Sequence, residues 1–415
     1  MKILMINKFY FLKGGSERYF FELGHILRSH GHEVIPFSMK HPENEPTPYT
    51  RYFVEEIEFN LDSAWQRLIN GIRIAGRILY SWQARHRLET LIRATRPQVA
   101  HCHMIDHQIS PSILHTLRKH RIPVLLTTHQ TKIICPNYRL FNWSKMRVCE
   151  KCLSHHYYWP VIEKCHKNSR MAGLLIAVES YSHHVMRLYE KYVDVLHVPS
   201  CFFRQKFIQA GYSAGKISQL YYTIQVDRYE PRYTDDDYFL YFGRIEEAKG
   251  LDTLLSAMHS VPQGRLFIVG RGDYEPELKN RARKTGLKNV TFLGPRFGEE
   301  LKEIVQNCQF VIVPSECYDN SPLVIYEAYA LGKPVIGADI GGIPELIEEG
   351  CTGKLFQAGN AHELAIHIRW MLNNPQLRIS MGRSARQKAE REFSPEVHYQ
   401  KIFDLYQNLL KRGKT

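Results

Sequence analysis

No run of apolar residues in this sequence approaches the ~18–20 that a helix needs to cross a bilayer, so no spanning helix is expected. The opening stretch MKILMIN ends at Lys8 and runs into a glycine loop, too short and wrongly flanked for a secretory signal. Nine cysteines, an odd number, do not make the paired framework of a disulfide-stapled secreted domain. Together these absences point to a cytoplasmic setting. There is also no long-period repeat and no low-complexity tract, and a composition 44% hydrophobic and 23% charged excludes a disordered or collagen-like chain.

Acidic residues are scarce in the first half alone. Residues 1–219 hold 16 Asp and Glu against 30 Lys and Arg, together with 17 of the 21 His; the remainder holds 26 acidic against 25 basic residues. The net charge of +13 is therefore a property of one half. A basic half joined to a neutral one suggests that the two meet different partners. Nucleic acid, an anionic membrane and an acidic substrate all fit charge alone, but no known nucleic-acid-binding module is present.

At ~100–200 residues per domain, 415 residues suggest two domains or one large one. Short runs rich in Val, Ile and Leu alternate with longer helical patterns. Ile3–Ile6, Val34–Phe37, Val99–Cys102, Val124–Thr127, Leu174–Val178 and Val193–Val198 form a first set of expected strands. Tyr238–Phe242, Leu266–Val269, Val290–Leu293, Phe310–Val313 and Pro334–Gly337 form a second. Continuous apolarity suits strands covered on both faces of a parallel sheet, so two doubly wound α/β domains are expected. The join falls near residues 216–236, where the chain turns polar. We expect residues 1–219 as the first domain, 220–394 as the second, and a last helix from about 395 to 415 returning to the first.

Three constellations can carry chemistry. Gly14-Gly15-Ser16-Glu17 follows the first strand and opens a helix, where glycines admit an anion to free N–H groups, although a plain tight turn reads the same way. The three-glycine dinucleotide spacing is absent. Phe242-Gly243-Arg244-Ile245-Glu246-Glu247-Ala248-Lys249-Gly250 sets two cations five residues apart at a strand's carboxyl end. There they could clamp a diphosphate or simply be solvated. The densest is Pro314-Ser315-Glu316-Cys317-Tyr318-Asp319-Asn320-Ser321-Pro322-Leu323-Val324-Ile325-Tyr326-Glu327. A helix opening near Ser321-Pro322 would turn the N–H groups of Leu323 and Val324 to the crevice. Asp319 and Glu327 could grip sugar hydroxyls; their plain alternatives are a helix cap and a solvated face. His129 ends the run Val124–Thr128 and would face the cleft, unless it is one of many structural histidines.

Taken in order, these segments resemble the GT-B glycosyltransferases of the retaining family 4 type (glycosyl transferases group 1) along nearly the whole chain. GGSERYFFEL…GHEV, FGRIEEAKGLDTLL, PSECYDNSPLVIYEAYALGKPVIGADIGGIPELI and FSPEVHYQKIFDLY each resemble a part of that family. The resemblance implies two Rossmann-like domains across a cleft, the first binding acceptor and the second a nucleotide sugar, UDP- or GDP-linked. It implies that Arg244 and Lys249 neutralise the leaving diphosphate, with Gly14, Gly15, Ser321, Leu323 and Val324 around the donor. Glu327 would hold the ribose, Asp319 the transferred sugar, and His129 would stand near the sugar and β-phosphate. Retention, a same-face mechanism and the lack of a catalytic metal are also implied by the family alone. The chain departs from the usual pattern at Asp319, where Glu is common, at Gln130, where Asp often follows the histidine, and at Tyr221-Tyr222-Thr223 in place of Pro-Asn and an apolar residue. Epimerase or phosphorylase chemistry on the same fold, a nucleic-acid-binding protein and an inactive relative remain alternatives at this point.

Two further features stand outside that pattern. Cys135, Cys149, Cys152 and Cys165 fall within 31 residues as C-x13-C-x2-C-x12-C. This spacing suits a structural zinc site of four thiolates, with His155, His156 and His166 as substitutes; free thiols and, after them, a disulfide are the alternatives. Residues 62–96 carry Trp65, Leu68, Ile69, Ile72, Ala75, Leu79 and Trp82 at three/four spacing amid seven arginines. Such a stretch either packs on the first sheet with a solvated arginine face or lies on an anionic membrane surface. A lipid-linked or acidic glycan acceptor would suit the surplus charge.

Overall fold

The computed structural model describes residues 1–56 and 76–412. Of the amphipathic stretch above, Trp65, Leu68, Ile69, Ile72 and Ala75 lie outside the described residues.

Fourteen strands are seen among the described residues. They are β1 (Lys2–Ile6), β2 (Glu33–Phe37), β3 (Val99–Cys102), β4 (Val124–Thr127), β5 (Phe141–Asn142), β6 (Arg147–Val148), β7 (Val195–Val198), β8 (Ile217–Gln219), β9 (Phe239–Phe242), β10 (Leu266–Val269), β11 (Val290–Gly294), β12 (Val311–Val313), β13 (Val335–Ala338) and β14 (Gly353–Phe356). Two six-stranded sheets form, in the orders β2-β1-β3-β4-β7-β8 and β11-β10-β9-β12-β13-β14. Every pair within them is parallel. β5 and β6 make a separate antiparallel ribbon. The order of each large sheet reverses once, at β1/β3 and at β9/β12, and in open α/β sheets such switch points mark the ligand crevice.

The expected strands are present with one exception. Leu174–Val178 is not a strand: it lies inside a helix, Arg170–Val185, whose Ser169 side chain accepts from the N–H of Ala172. A short apolar run reads alike for a buried strand and a helix. Here the cap and a 16-residue length decide it. Leu174, Leu175 and Val178 are also 40–46% exposed while Ile176 and Ala177 are buried, a one-sided burial that no central strand covered on both faces would show. Two short edge strands, β8 and β14, were not expected.

The last helix, Pro395–Arg412, leaves the second sheet and packs on the first half. Its Tyr406 hydroxyl lies 2.7 Å from His101 Nδ1 on β3, and His398 Nε2 lies 2.8 Å from the Tyr19 hydroxyl. Of the basic stretch, Trp82–Thr95 is a helix burying Ala84, Leu88, Leu91 and Ile92, with Ser81 capping it. Trp82, expected on the inner stripe, is instead 71% exposed, with the Arg85 guanidinium 4.9 Å from its ring. Among the described residues no helix is long and apolar enough to cross a membrane.

Candidate active site

The carboxyl ends of β1, β4, β9 and β12 open on one cleft of about 690 Å³ between the halves. Gly14, Gly15, His129, Arg244, Lys249, Asp319, Ser321, Leu323 and Val324 all line it. Sequence placed these residues far apart; parallel strands bring their ends to one edge.

On the first half, Gly14 precedes the helix Gly15–Ser29. A Cβ on Gly15 would lie 3.3 Å from Cδ1 of Leu323, so bare backbone faces the opposite helix across the cleft. That opposite helix, Leu323–Ala330, follows Pro322 directly, so its first N–H groups are free of capping side chains. Ser321 is turned inward, its hydroxyl 2.6 Å from that of Tyr326.

The two cations are not free. Lys249 Nζ lies 2.5 Å from Asp319 Oδ1, and Ser315 donates to Asp319 Oδ2 at 2.5 Å. Burial raises the Asp319 pKa, but Lys249 and Ser315 outweigh it and hold the carboxyl below its usual range. Asp319 therefore does not cap the helix after it. Arg244 is 61% exposed at the side chain and pairs with Glu246 at 2.8 Å. Arg139 also reaches Glu246, at 2.8 Å from its other oxygen.

His129 is held from both sides. Its Nε2 lies 3.0 Å from His103 Nδ1 and its Nδ1 lies 2.7 Å from the Tyr222 hydroxyl. Burial, with His197 nearby, pushes its pKa down to about 3, so the ring is neutral. His129 thus lines the cleft with both ring nitrogens already engaged. Tyr222, in the stretch where the family's usual residues are missing, is thus the histidine's partner. Gln130 donates to Asp106 Oδ1 at 3.2 Å, and Lys8 Nζ lies 2.9 Å from Asp106 Oδ2 on the same wall.

Glu327 is the exception among the expected residues: it is buried one layer behind the cleft surface. Arg18, from the first helix of the other half, pairs with it and donates to the Tyr229 hydroxyl at 2.6 Å. Burial disfavours the Arg18 charge, but Glu327, Tyr229 and Glu22 outweigh it and raise the arginine above its ordinary value. The Gly-Gly-x-Pro-Glu turn also bridges the halves. Glu345 accepts from the N–H of Cys201 at 2.6 Å and from that of Phe202, at the start of the helix Cys201–Gln209. Arg18 and Arg139 were not singled out from sequence, and Tyr222 stood out only as a departure from the family pattern; Arg18 directly follows the glycine motif, while nothing local marks Arg139.

Cys135, Cys149, Cys152 and Cys165 come close enough for their charges to interact. All four are free thiols, and burial pushes Cys135 up to about 11 and Cys165 up to about 12. Cys135 Sγ donates to Asn137 Oδ1 at 3.0 Å. Among the described residues no group of three or more His, Cys, Asp or Glu is set at metal-holding geometry.

Two parallel-sheet α/β units with a cleft at their facing switch points, closed by a helix that returns to the first, define a GT-B fold. It is shared, at 19% identity, with sucrose-phosphate synthase of Thermosynechococcus elongatus (TM-score 0.71, covering 99% of each chain). It is shared also with HepE of Anabaena in complex with UDP-glucose (TM-score 0.67, 19% identity, 98% of this chain and 100% of that one). The chain belongs to glycosyltransferase family 4: residues 13–228 match that family and residues 225–388 match the glycosyl transferases group 1. Curated relatives include the sulfoquinovosyl transferase of Arabidopsis thaliana, 29% identical over 50% of this chain and 43% of that protein. A D-inositol 3-phosphate glycosyltransferase of Corynebacterium aurimucosum is 36% identical over 35% of this chain and 37% of its own length. The matched stretch spans less than half of either relative.

Proposed function

We propose that this protein transfers a sugar from a nucleotide sugar to an acceptor, with retention of anomeric configuration. The observation that carries the reading is one cleft where the Gly14-Gly15 backbone, Arg244, Lys249 and the N-terminus of Leu323–Ala330 face each other. Breaking a glycosyl–diphosphate bond leaves an electron-poor sugar and a more negative diphosphate. Cations and a helix N-terminus fixed around that charge stabilise it without reorganising, and losing one such partner costs ~3 kcal/mol, about a hundredfold. Asp319 and His129 lie at the same cleft for the sugar. Glu327 meets the ribose once Arg18 gives way.

A UDP- or GDP-sugar suits the site; HepE, of the same fold, has been solved with UDP-glucose. A thermal-shift panel of UDP-, GDP- and ADP-sugars tests this, since a specific donor stabilises by mass action. One donor should shift the wild type and fail to shift Arg244→Ala. No shift with any of them overturns the reading, and free or phosphorylated sugar without a glycosylated product would make it an epimerase or phosphorylase.

For the acceptor we propose a lipid-linked or acidic glycan taken from an anionic membrane surface. Support comes from the basic first half and from the helix Arg170–Val185, which turns Met171, Leu174, Val178 and Val185 to solvent, Val185 at 78%. Singly exposed apolar groups are ordinary; a stripe along one helix calls for a cover. Co-sedimentation with anionic vesicles, salt-sensitive and lost in Leu174→Glu/Val178→Glu, is expected. Equal binding to neutral vesicles, or none, removes the membrane from the proposal.

A structural zinc on Cys135, Cys149, Cys152 and Cys165 belongs to the same proposal. It is supported by the convergence of the four thiols, which would give up their protons to a bound zinc ion and close around it as thiolates. Metal analysis of protein purified without added zinc should give about one zinc per chain, absent from Cys149→Ser/Cys152→Ser. Zinc-free wild-type protein with an unaltered melting curve would leave these as plain thiols.

A further inference from the structure

Residues 128–169 leave the first sheet after β4 and form a lobe that crosses to the second half. Phe141 on β5 packs with Ala248 and Cys317, and Trp143 and Met146 join that contact. Tyr318, in the loop after β12, donates to Glu150 of the lobe at 2.8 Å. The lobe is therefore a third wall of the donor side of the cleft, and Arg139 is the cation it carries there. Tyr138 and Leu140 flank it with φ of 64° and 50°. Two bulky residues in the left-handed region on either side of one arginine mark a backbone bent to aim it.

We propose that Arg139 is a donor-contacting residue that moves from Glu246 to the diphosphate when nucleotide sugar binds. The inference rests on the nucleotide-sugar reading above. Glu246 is shared: Oε2 takes Arg139 Nη1 and Oε1 takes Arg244 Nη1, each at 2.8 Å. Lys249 is matched one to one by Asp319. The cluster thus holds three cations against two carboxylates, and the cation in excess sits on Glu246. A guanidinium fork fits phosphate oxygens as well as it fits a carboxylate, so a diphosphate in the cleft replaces Glu246 without loss of geometry. Arg139 lines that cleft beside Arg244 and Lys249, with its guanidinium carbon 5.3 Å from the Trp143 ring, which limits its swing. Supplied from the acceptor half, this cation completes the phosphate site only when the halves are closed.

A mere latch between the halves predicts something different. Removing either partner of a latch has one effect, whereas removing a phosphate ligand and removing its competitor have opposite effects. Calorimetric titration of wild type, Arg139→Ala, Glu246→Gln and Arg244→Ala with UDP, GDP and ADP separates the two, with the matching monophosphates as controls. Arg139→Ala should weaken the bound diphosphate about tenfold, the loss of one charge-assisted contact, and the monophosphate far less. Glu246→Gln, which frees both guanidiniums, should leave the diphosphate at least as tight as in wild type. Weakening by both variants, or none by Arg139→Ala, overturns the proposal while Arg244→Ala still reports on the clamp. If Arg139→Ala does not fold, weakening in Glu246→Gln overturns it alone. If the wild type binds none of the three diphosphates, the underlying reading fails with it.

Discussion

Lys249 Nζ and Asp319 Oδ1 stand 2.5 Å apart, joining the Gly-Arg…Lys-Gly segment after β9 to the acidic loop after β12. Both side chains are largely buried, at 15% and 17% exposure. Breaking such a pair by removing one partner leaves an uncompensated charge and costs ~3–5 kcal/mol. Lys249→Met should therefore lose stability as well as activity. The Asp319 pKa is depressed, so its contribution is present above the unfolded carboxyl value of ~3.9 and is lost as pH falls. The gap in Tm between wild type and Lys249→Met should be wide at pH 7 and narrow towards pH 4, where protonation relieves the orphaned carboxylate. A gap that stays constant through that range would show that the pair is not what the lysine contributes.

Five histidines lie together in the buried joint of the first half: His101, His103, His129, His197 and His398. Burial is the first cause of a lowered pKa in each, down to about 4 for His197 and about 3 for His129 and His398. A histidine kept neutral in the fold binds its proton first when unfolded, so its contribution is complete above ~6.5 and is lost as pH falls below that value. Each contributes a slope of ~1.4 kcal/mol per pH unit. Urea midpoints should fall steeply from pH 7 to pH 5, well before carboxylates titrate. Replacing His197 with Gln should flatten that slope; a midpoint level between pH 7 and 5 would contradict the buried neutral cluster.

Arg18 reaches across the cleft to Glu327 and so covers the carboxylate proposed for the ribose. Hydrogen bonds to a charged group contribute ~1.5–3 kcal/mol, so Glu327→Gln should lower kcat/KM for the donor by about 10–100-fold. Arg18→Gln leaves Glu327 in place. It should lower Tm, because a buried carboxylate loses its partner, yet keep donor affinity. If Arg18→Gln loses the donor as badly as Glu327→Gln, the arginine itself holds the nucleotide and the carboxylate serves only to place it.

What sequence could and could not show follows from the range of each interaction. Strands covered on both faces announce themselves as apolar runs, and so ten of the twelve sheet strands were legible. Leu174–Val178 misled because apolarity alone does not distinguish a strand from a half-exposed helix. The glycine turn, Arg244, Lys249 and Asp319 were legible because each segment carries its own local signal at a strand end. Arg18, Arg139 and Tyr222 act on residues 309, 107 and 93 positions away, and no local pattern encodes such a partner. The same holds for the pairing within the site: the clamp residues were visible, their engagement by Glu246 and Asp319 was not.

The close approach of Gly15 to Leu323 separates folding from donor binding. Gly15 opens the helix Gly15–Ser29, and Ala in place of Gly within a helix stabilises it by up to ~1 kcal/mol. A Cβ there meets Cδ1 of Leu323 at 3.3 Å, so the leucine need move only a few tenths of an ångström. Gly15→Ala should therefore fold with a Tm within a few degrees of wild type. The cost falls on the cleft, because the new methyl stands where backbone faces the N-terminus of Leu323–Ala330. Donor KM should rise about tenfold, the scale of one lost phosphate contact, and Gly15→Val should raise it further as its branches fill the gap. Steady-state kinetics against donor, beside melting curves of the same preparations, read both effects. Unchanged donor KM in Gly15→Val would mean that the diphosphate does not pass between these two helices, and the phosphate site would have to be moved toward Arg244.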